Sequence, residues 1–343
     1  MTRAYINHTA VAVPDNDVHE AFVHFAGGLL RDRRSRLLFD RMVKRSGIER
    51  RWSCVDPSDG FYVPGRFPST GQRMSRYAAE APALAQKAVD RLGLGDGMRE
   101  VSHLIVTSCT GMSAPGVDLE LVRRCGLDPG VERTIIGFMG CNAAINALKL
   151  ARHIVRSTLS AKVLIVSLEL CTLHLQETED IERLLSFLLF GDGCAAALVS
   201  ADPVGVEMKS FRAALVPDTK ALIRWNIRQQ GFDMVLSGGV PAAIRAALTN
   251  ARDDILGGAN DIELWAVHPG GRTVLDAVEQ AFDLPPTALG ASRSVLNDYG
   301  NMSSGTVMFV LDRIMRGSKE GRGCAMSFGP GLVAETMMFH MAA

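Results

Sequence analysis

Short, continuously apolar segments alternate with helical patterns along this chain, and that alternation limits its fold more than any other feature. Val163–Leu170 (VLIVSLEL) is apolar at nearly every position, the pattern of a strand covered on both faces. Residues 101–108, 134–139 and 194–200 read the same way, the last after the turn Gly191-Asp192-Gly193. Residues 116–125 and 142–155 carry helical spacing between them. After about residue 200 the rhythm begins again: 204–216 strand-like, 241–250 helical, 262–267 a strand, 273–282 a helix and 306–311 a strand. The expected class is α/β, with a mixed sheet, helices on both sides, and two halves of like design spanning 1–203 and 204–343. No Ser/Gly-rich or charge-rich linker divides them, which favours one fused body.

With 343 residues the chain has ample material for buried cores. Lys plus Arg balances Asp plus Glu at 37 each, so no global field draws nucleic acid or an anionic membrane, and any anion site must be local. The N-terminal stretch lacks a basic run followed by an apolar core, and no apolar run approaches the ~20 residues that span a bilayer. A cytoplasmic protein is expected. Seven cysteines (Cys54, Cys109, Cys125, Cys141, Cys171, Cys194, Cys324) are odd in number and never spaced C-x-x-C, which argues against a disulfide framework and against zinc.

Three segments could carry chemistry. In Thr134-Ile-Ile-Gly-Phe-Met-Gly-Cys141-Asn-Ala-Ala, a strand breaks at Gly140 and passes through Cys141 into a helix of small residues. Such an elbow lifts the sulfur at the strand's C-terminal edge and aims the helix N–H groups at it, favouring thiolate. A buried structural cysteine at a helix start would look the same. Glu263-Leu-Trp-Ala-Val-His268-Pro-Gly-Gly is an apolar strand ending in a histidine, where α/β sheets place their ligand crevices. In Val295-Leu-Asn-Asp-Tyr-Gly-Asn301-Met-Ser-Ser-Gly, Gly300 makes a turn and Asn301 offers a carboxamide. Together the three supply a nucleophile, a general base or imidazolium, and a polar donor.

These segments identify a resemblance to the type III polyketide synthases, the chalcone-synthase-like branch of the thiolase superfamily. It runs over nearly the whole length through five ordered motifs: Gly140-Cys-Asn-Ala-Ala, Leu189-Phe-Gly-Asp-Gly-Cys-Ala-Ala-Ala, Val267-His-Pro-Gly-Gly, Asp298-Tyr-Gly-Asn-Met-Ser-Ser and Ser327-Phe-Gly-Pro-Gly-Leu-Val-Ala-Glu-Thr. The resemblance implies a thiolase-like five-layer αβαβα fold of two pseudo-symmetric halves, and a homodimer with the site at the junction of the halves. It implies that Cys141 takes an acyl group from a CoA starter as a thiolate paired with imidazolium His268. His268 and Asn301 then hold malonyl-CoA as it loses CO2, and the resulting enolate extends the chain in repeated rounds that end in a cyclised pyrone or phenolic product. No metal or redox cofactor is implied; CoA thioesters are the substrates.

By the same resemblance Phe190 stands at the gate between CoA tunnel and cavity, and Met234 replaces a second gate aromatic. Cys109, Thr110, His174, Trp225 and Ser303 fall at cavity-lining positions. Trp225 stands where many plant members have glycine and should fill space otherwise open to starter or product. Arg41 and Arg45 match the basic region that meets the CoA phosphates, and their four-residue spacing puts both on one helix face. Ala114 lies where relatives send a side chain across the dimer interface, a role nearby Met112 could take. Two other readings remain open: a single-round ketosynthase of the fatty-acid-initiation type, whose histidine stands in a His-Gln-Ala-Asn setting rather than His-Pro-Gly-Gly, and an acyl-binding homologue without turnover.

Overall fold

The computed structural model describes residues 2–259, 261–317 and 319–342. Its strands are β1 (Tyr5–Ala12), β2 (Asn16–Asp17), β3 (Trp52–Ser53), β4 (His103–Ser108), β5 (Glu132–Gly137), β6 (Val163–Leu170), β7 (Asp192–Ser200), β8 (Val206–Leu215), β9 (Ile223–Arg228), β10 (Gly231–Leu236), β11 (Leu264–Val267), β12 (Gly321–Gly329) and β13 (Val333–Met341). Nine of them hydrogen-bond in the order β11-β12-β13-β8-β1-β7-β6-β4-β5, while β9 and β10 form a separate hairpin. From either end inward the pattern repeats. β4 runs parallel to β6, then β7 and β1 alternate; β11 runs parallel to β12, then β13 and β8 alternate. The halves join where β1 meets β8 through Tyr5–Glu207 and Ile6–Val206.

Side-chain alternation sorts the layers. On β4 and β6, Leu104, Val106, Leu164 and Val166 pack into an outer core with the Thr70–Asp90 and Val117–Cys125 helices. Their neighbours Ile105, Val163 and Ile165 face a central core. On the other half, Trp265, Cys324 and Met326 meet the Val240–Asn250 and Arg272–Phe282 helices, whereas Ala266 and Ala325 face the centre. Between the two sheet faces lie the Ala143–Ser157 and Thr306–Met315 helices. The sequence of layers is helix, sheet, helix, sheet, helix, as the resemblance implied.

The one expected element of the wrong type is 306–311, which is helical rather than a strand. Thr306 to Leu311 are all at most 2% exposed, so the segment has no polar face and its apolar run carries no helical period. Each such buried side chain contributes about 1.5–3 kcal/mol. Asn301 follows the Gly290–Tyr299 helix, which stops at Gly300 with φ +69°.

Candidate active site

β5 ends at Gly137, and the chain then turns through Phe138 (φ +56°) and Gly140 (φ +72°) into a single 3-10 turn, Gly140–Asn142, before the Ala143–Ser157 helix. Gly140 is required twice over. Its φ disfavours any side chain, and a Cβ there would stand 2.3 Å from Pro330 Cδ. Cys141 is thereby raised at the head of the helix, its Sγ 3.7 Å from Ser303 Oγ and its carbonyl accepting from Ser327 Oγ at 2.6 Å.

His268 follows β11 directly, and its backbone N–H donates to Met326 O at 2.8 Å. Met326 and Ser327 are consecutive on β12, so one strand registers His268 and Cys141 against each other. The imidazole is 1% exposed, and neither ring nitrogen has a partner among the described residues. Leaving both open costs stability that a structural histidine would recover with a hydrogen bond. Burial lowers the His268 pKa to about 3 and pushes the Cys141 thiol up to about 12, against a smaller opposing effect of the Ser303 hydrogen bond. Burial thus disfavours the charged form of each group taken singly, so a thiolate–imidazolium pair would need the two charges to stabilise one another.

Asn301 is held by its oxygen. Oδ1 accepts from Ser303 N at 2.8 Å and from Thr306 Oγ1 at 3.4 Å, which leaves Nδ2 pointing at Gly270 O, 3.5 Å away. Gly270 packs against the His268 ring, since a Cβ built on it would lie 3.7 Å from Nε2. Cys141 touches Ser303, Ser303 is bonded to Asn301, and Asn301 reaches the loop carrying His268. The three segments converge.

A small cavity of about 30 Å3 opens on Cys141, lined by Cys109, Phe190, Trp225, Met234 and Ser303 together with Cys171 and Phe138. Trp225 and Met234 are direct cross-strand partners in the β9–β10 hairpin, and the Trp225 indole donates to Cys109 O at 2.9 Å. Thr110 and His174, expected in the lining, stand in the layer behind. His174 Nδ1 accepts from Phe232 N at 3.0 Å, so Nε2 carries the proton and donates to Thr110 O at 2.6 Å. The ring stacks on Phe232 at 4.2 Å.

Sequence reasoning passed over Glu169, a carboxyl within the otherwise apolar β6. It accepts from Cys109 N at 3.0 Å, Thr110 Oγ1 at 2.8 Å and Ser304 Oγ at 2.5 Å, and burial raises its pKa. A Glu inside VLIVSLEL was the available signal, since a fully buried acid needs several donors.

A separate cleft of about 540 Å3 is bordered by Arg45, Ser186, Leu189, Gly270, Gly271 and Arg272. Arg45 and Arg41 sit exposed on the Arg33–Arg45 helix, and only Arg45 borders the cleft. Arg272, one residue past the Gly-Gly pair, adds a cation that the sequence reading did not single out.

A thiol, an imidazole and a carboxamide where two similar α/β halves meet form a set suited to acyl transfer of the thiolase type. The models of the chalcone and stilbene synthase N-terminal and C-terminal domains match residues 12–203 and 207–343. The chain belongs to the chalcone and stilbene synthase family: it is a type III polyketide synthase, an acyltransferase that condenses CoA thioesters. It is 34% identical over 332 residues to bisdemethoxycurcumin synthase of Oryza sativa subsp. japonica, covering 88% of this chain and 82% of that protein. It is 33% identical over 318 residues to the alpha-pyrone synthesis polyketide synthase-like Pks18 of Mycobacterium tuberculosis, covering 87% and 81%. Among solved structures, PKS-I of the brown alga Ectocarpus siliculosus superposes with a TM-score of 0.91 at 27% identity, covering 100% of this chain and 99% of that one. The C-terminal type III polyketide synthase domain of Steely1 from Dictyostelium shares the fold, with a TM-score of 0.91 at 22% identity over 99% and 100%.

Proposed function

We propose that Cys141 is the acyl-carrying nucleophile, that neutral His268 takes its proton as the starter thioester is attacked, and that His268 and Asn301 then bind the malonyl thioester oxygen. The observation that carries this is the pair of open nitrogens on a buried imidazole beside a carboxamide whose donor end is fixed by its own oxygen contacts. Negative charge developing on the malonyl oxygen as CO2 leaves would meet donors already in place, the arrangement that lowers such barriers most. The enolate then attacks the Cys141 thioester, adding two carbons and freeing the thiol.

In this reading Cys109, Phe190, Trp225, Met234 and Ser303 shape the chamber, Thr110 and His174 brace it, and Arg45 at the cleft, with Arg41 one helical turn away, meets the CoA phosphates. The halves divide as 1–203 and 204–343. The small chamber favours a short starter, and the product is a cyclised pyrone or phenol. A cytoplasmic location suits enzymes fed by CoA thioesters, and no helix among the described residues is long and apolar enough to cross a membrane. A homodimer is supported by β5. It is the sheet's edge strand, with Ile135 51% exposed beside exposed Met112, Phe138 and Met139, and such an edge is normally covered.

The test is to incubate the protein with malonyl-CoA and a panel of acyl-CoA starters from acetyl to long fatty acyl, following CoA thiol, CO2 and product mass. Iterated, cyclised products are expected. A β-keto product of one extension would point to single-round ketosynthase chemistry, and release of neither CoA nor CO2 would leave only an acyl-binding role.

A further inference from the structure

The Arg33–Arg45 helix (RRSRLLFDRMVKR) holds six cations and one acid, Asp40, in a chain whose total charges cancel. Phe39 and Val43 anchor it to a core shared with the Ile181–Leu189 helix. Its outward side keeps Leu37, Leu38 and Met42 at 57%, 43% and 38% exposure. Arg33, Arg41, Lys44 and Arg45 are exposed and have no ion-pair partner among the described residues. Residues three and four apart share a helix face, so Arg34, Leu38, Met42 and Arg45 form one stripe, with Arg33, Leu37, Arg41 and Lys44 beside it. Cations and apolar side chains are mixed along both. The first stripe ends at the 540 Å3 cleft, which Met42 and Arg45 border.

A CoA nucleotide in the cleft does not account for the whole face, because Arg33, Arg34, Leu37 and Leu38 do not border that cleft. The 13 residues extend about 20 Å, a span that suits a protein surface. Exposed apolar side chains among cations make an interface whose partner must be acidic and partly apolar. An anionic lipid surface has that charge as well, but the continuity of the face with the cleft favours a partner that also sends a segment inward. At its inner end the cleft reaches Gly270, which packs against His268. The thioesters this enzyme uses hang on a phosphopantetheine arm, and acyl-carrier proteins, which are small and acidic, present the same arm.

We propose that the outward face of the Arg33–Arg45 helix docks an acidic acyl-carrier protein, whose phosphopantetheine arm enters the cleft and delivers a starter to Cys141. The carrier's acidic side chains meet Arg33, Arg34 and Arg41, and its apolar ones cover Leu37 and Leu38. The destination of the arm rests on the reading of Cys141 as the loaded nucleophile; the docking face does not. In the transfer, the Cys141 sulfur bonds to the thioester carbonyl carbon and the bond from that carbon to the arm sulfur breaks. The proton that His268 took from Cys141 passes to the arm, leaving acyl-Cys141 and a carrier with a free thiol.

The probe is the producing organism's own fatty-acid acyl-carrier protein, carrying a butyryl thioester and a fluorescent label. Its anisotropy on titration with the full chain reads docking without any need for turnover. One carrier per chain is expected, with affinity falling about tenfold or more from about 0.05 M to about 0.5 M salt. Arg34→Glu combined with Leu38→Ser alters two exposed positions outside the cleft, and an acid suits the first turn of a helix. This variant should weaken the carrier about tenfold or more while KM for butyryl-CoA stays within twofold. Vesicles of phosphatidylcholine and phosphatidylglycerol should not sediment the protein. Absence of carrier binding, indifference to the paired substitution, or an equal loss with butyryl-CoA would each overturn the proposal. Sedimentation with vesicles that the same substitutions abolish would assign the face to a membrane instead. A mass increment on Cys141 from both donors is expected; an increment from butyryl-CoA alone overturns the arm's route, whereas none from either donor strikes the reading of Cys141 and leaves the anisotropy result standing.

Discussion

The backbones of Phe190 and Asn301 are bridged to each other: Asn301 N donates to Leu189 O at 2.8 Å, and Gly191 N donates to Asn301 O at 3.0 Å. The residue expected at the gate and the carboxamide expected at the extender unit are therefore one rigid feature, although 110 positions separate them in the chain. A shift of the wall at Phe190 moves the Asn301 donor with it.

Asn301→Ala should separate the two half-reactions. Starter loading on Cys141, read as a mass increment, should persist, whereas CO2 release from malonyl-CoA should drop by about 10²–10³-fold, the usual cost of losing one fixed donor to a developing oxyanion. Equal loss of both steps would contradict the proposed division of labour.

Cys141 should be the cysteine that iodoacetamide modifies fastest, because it heads a helix and opens on a cavity while five of the other six are buried. Its thiol pKa near 12 and the His268 pKa near 3 fix the sign of the pH dependence. Thiolate is scarce at neutrality and grows with pH, so the alkylation rate should climb from pH 6 to 9 without a plateau. A plateau already reached at pH 7 would instead reveal a resting thiolate–imidazolium pair.

Gly140→Ala should destabilise the fold by about 1–3 kcal/mol, since it combines a strained left-handed backbone with a methyl group driven onto Pro330. Urea unfolding monitored by circular dichroism measures this. An unchanged midpoint would mean that the turn before Cys141 tolerates a side chain and is not the constraint described.

Trp225→Gly removes the largest side chain from the wall of the small chamber and leaves Met234 without its cross-strand partner. Longer starters should gain in kcat/KM relative to acetyl-CoA, by about tenfold or more for one ring's worth of space. If the ranking of starters stays the same, Trp225 does not limit the chamber.

Much of this architecture was legible because parallel strands buried on both faces leave a plain apolar trace; Val163–Leu170 was bounded to the residue. The Thr306–Met315 helix was misread for the same physical reason, since an element buried all round loses the polar face that distinguishes a helix from a strand. Cys141, His268 and Asn301 stood out because each sits at a chain break marked by glycine. Glu169 did not, because its significance lies in which distant donors surround it, and no local pattern records that. His174 looked like a chamber residue, but its ring is spent holding Phe232 and Thr110.

The β9–β10 hairpin pairs only with itself, while Cys141 and His268 are registered by β12 of the main sheet. Trp225 and Met234 thus ride on a hairpin tied to the body by scattered hydrogen bonds, among them Trp225 Nε1 to Cys109 O at 2.9 Å and Gly331 N to Ile223 O at 3.0 Å, whereas Cys141 and His268 are held by the main sheet. Substitutions in the hairpin at Trp225 and Met234 can remodel what the enzyme accepts without replacing any group that makes the carbon–carbon bond. A scaffold divided in this way can diversify its products by substitutions that leave its chemistry intact.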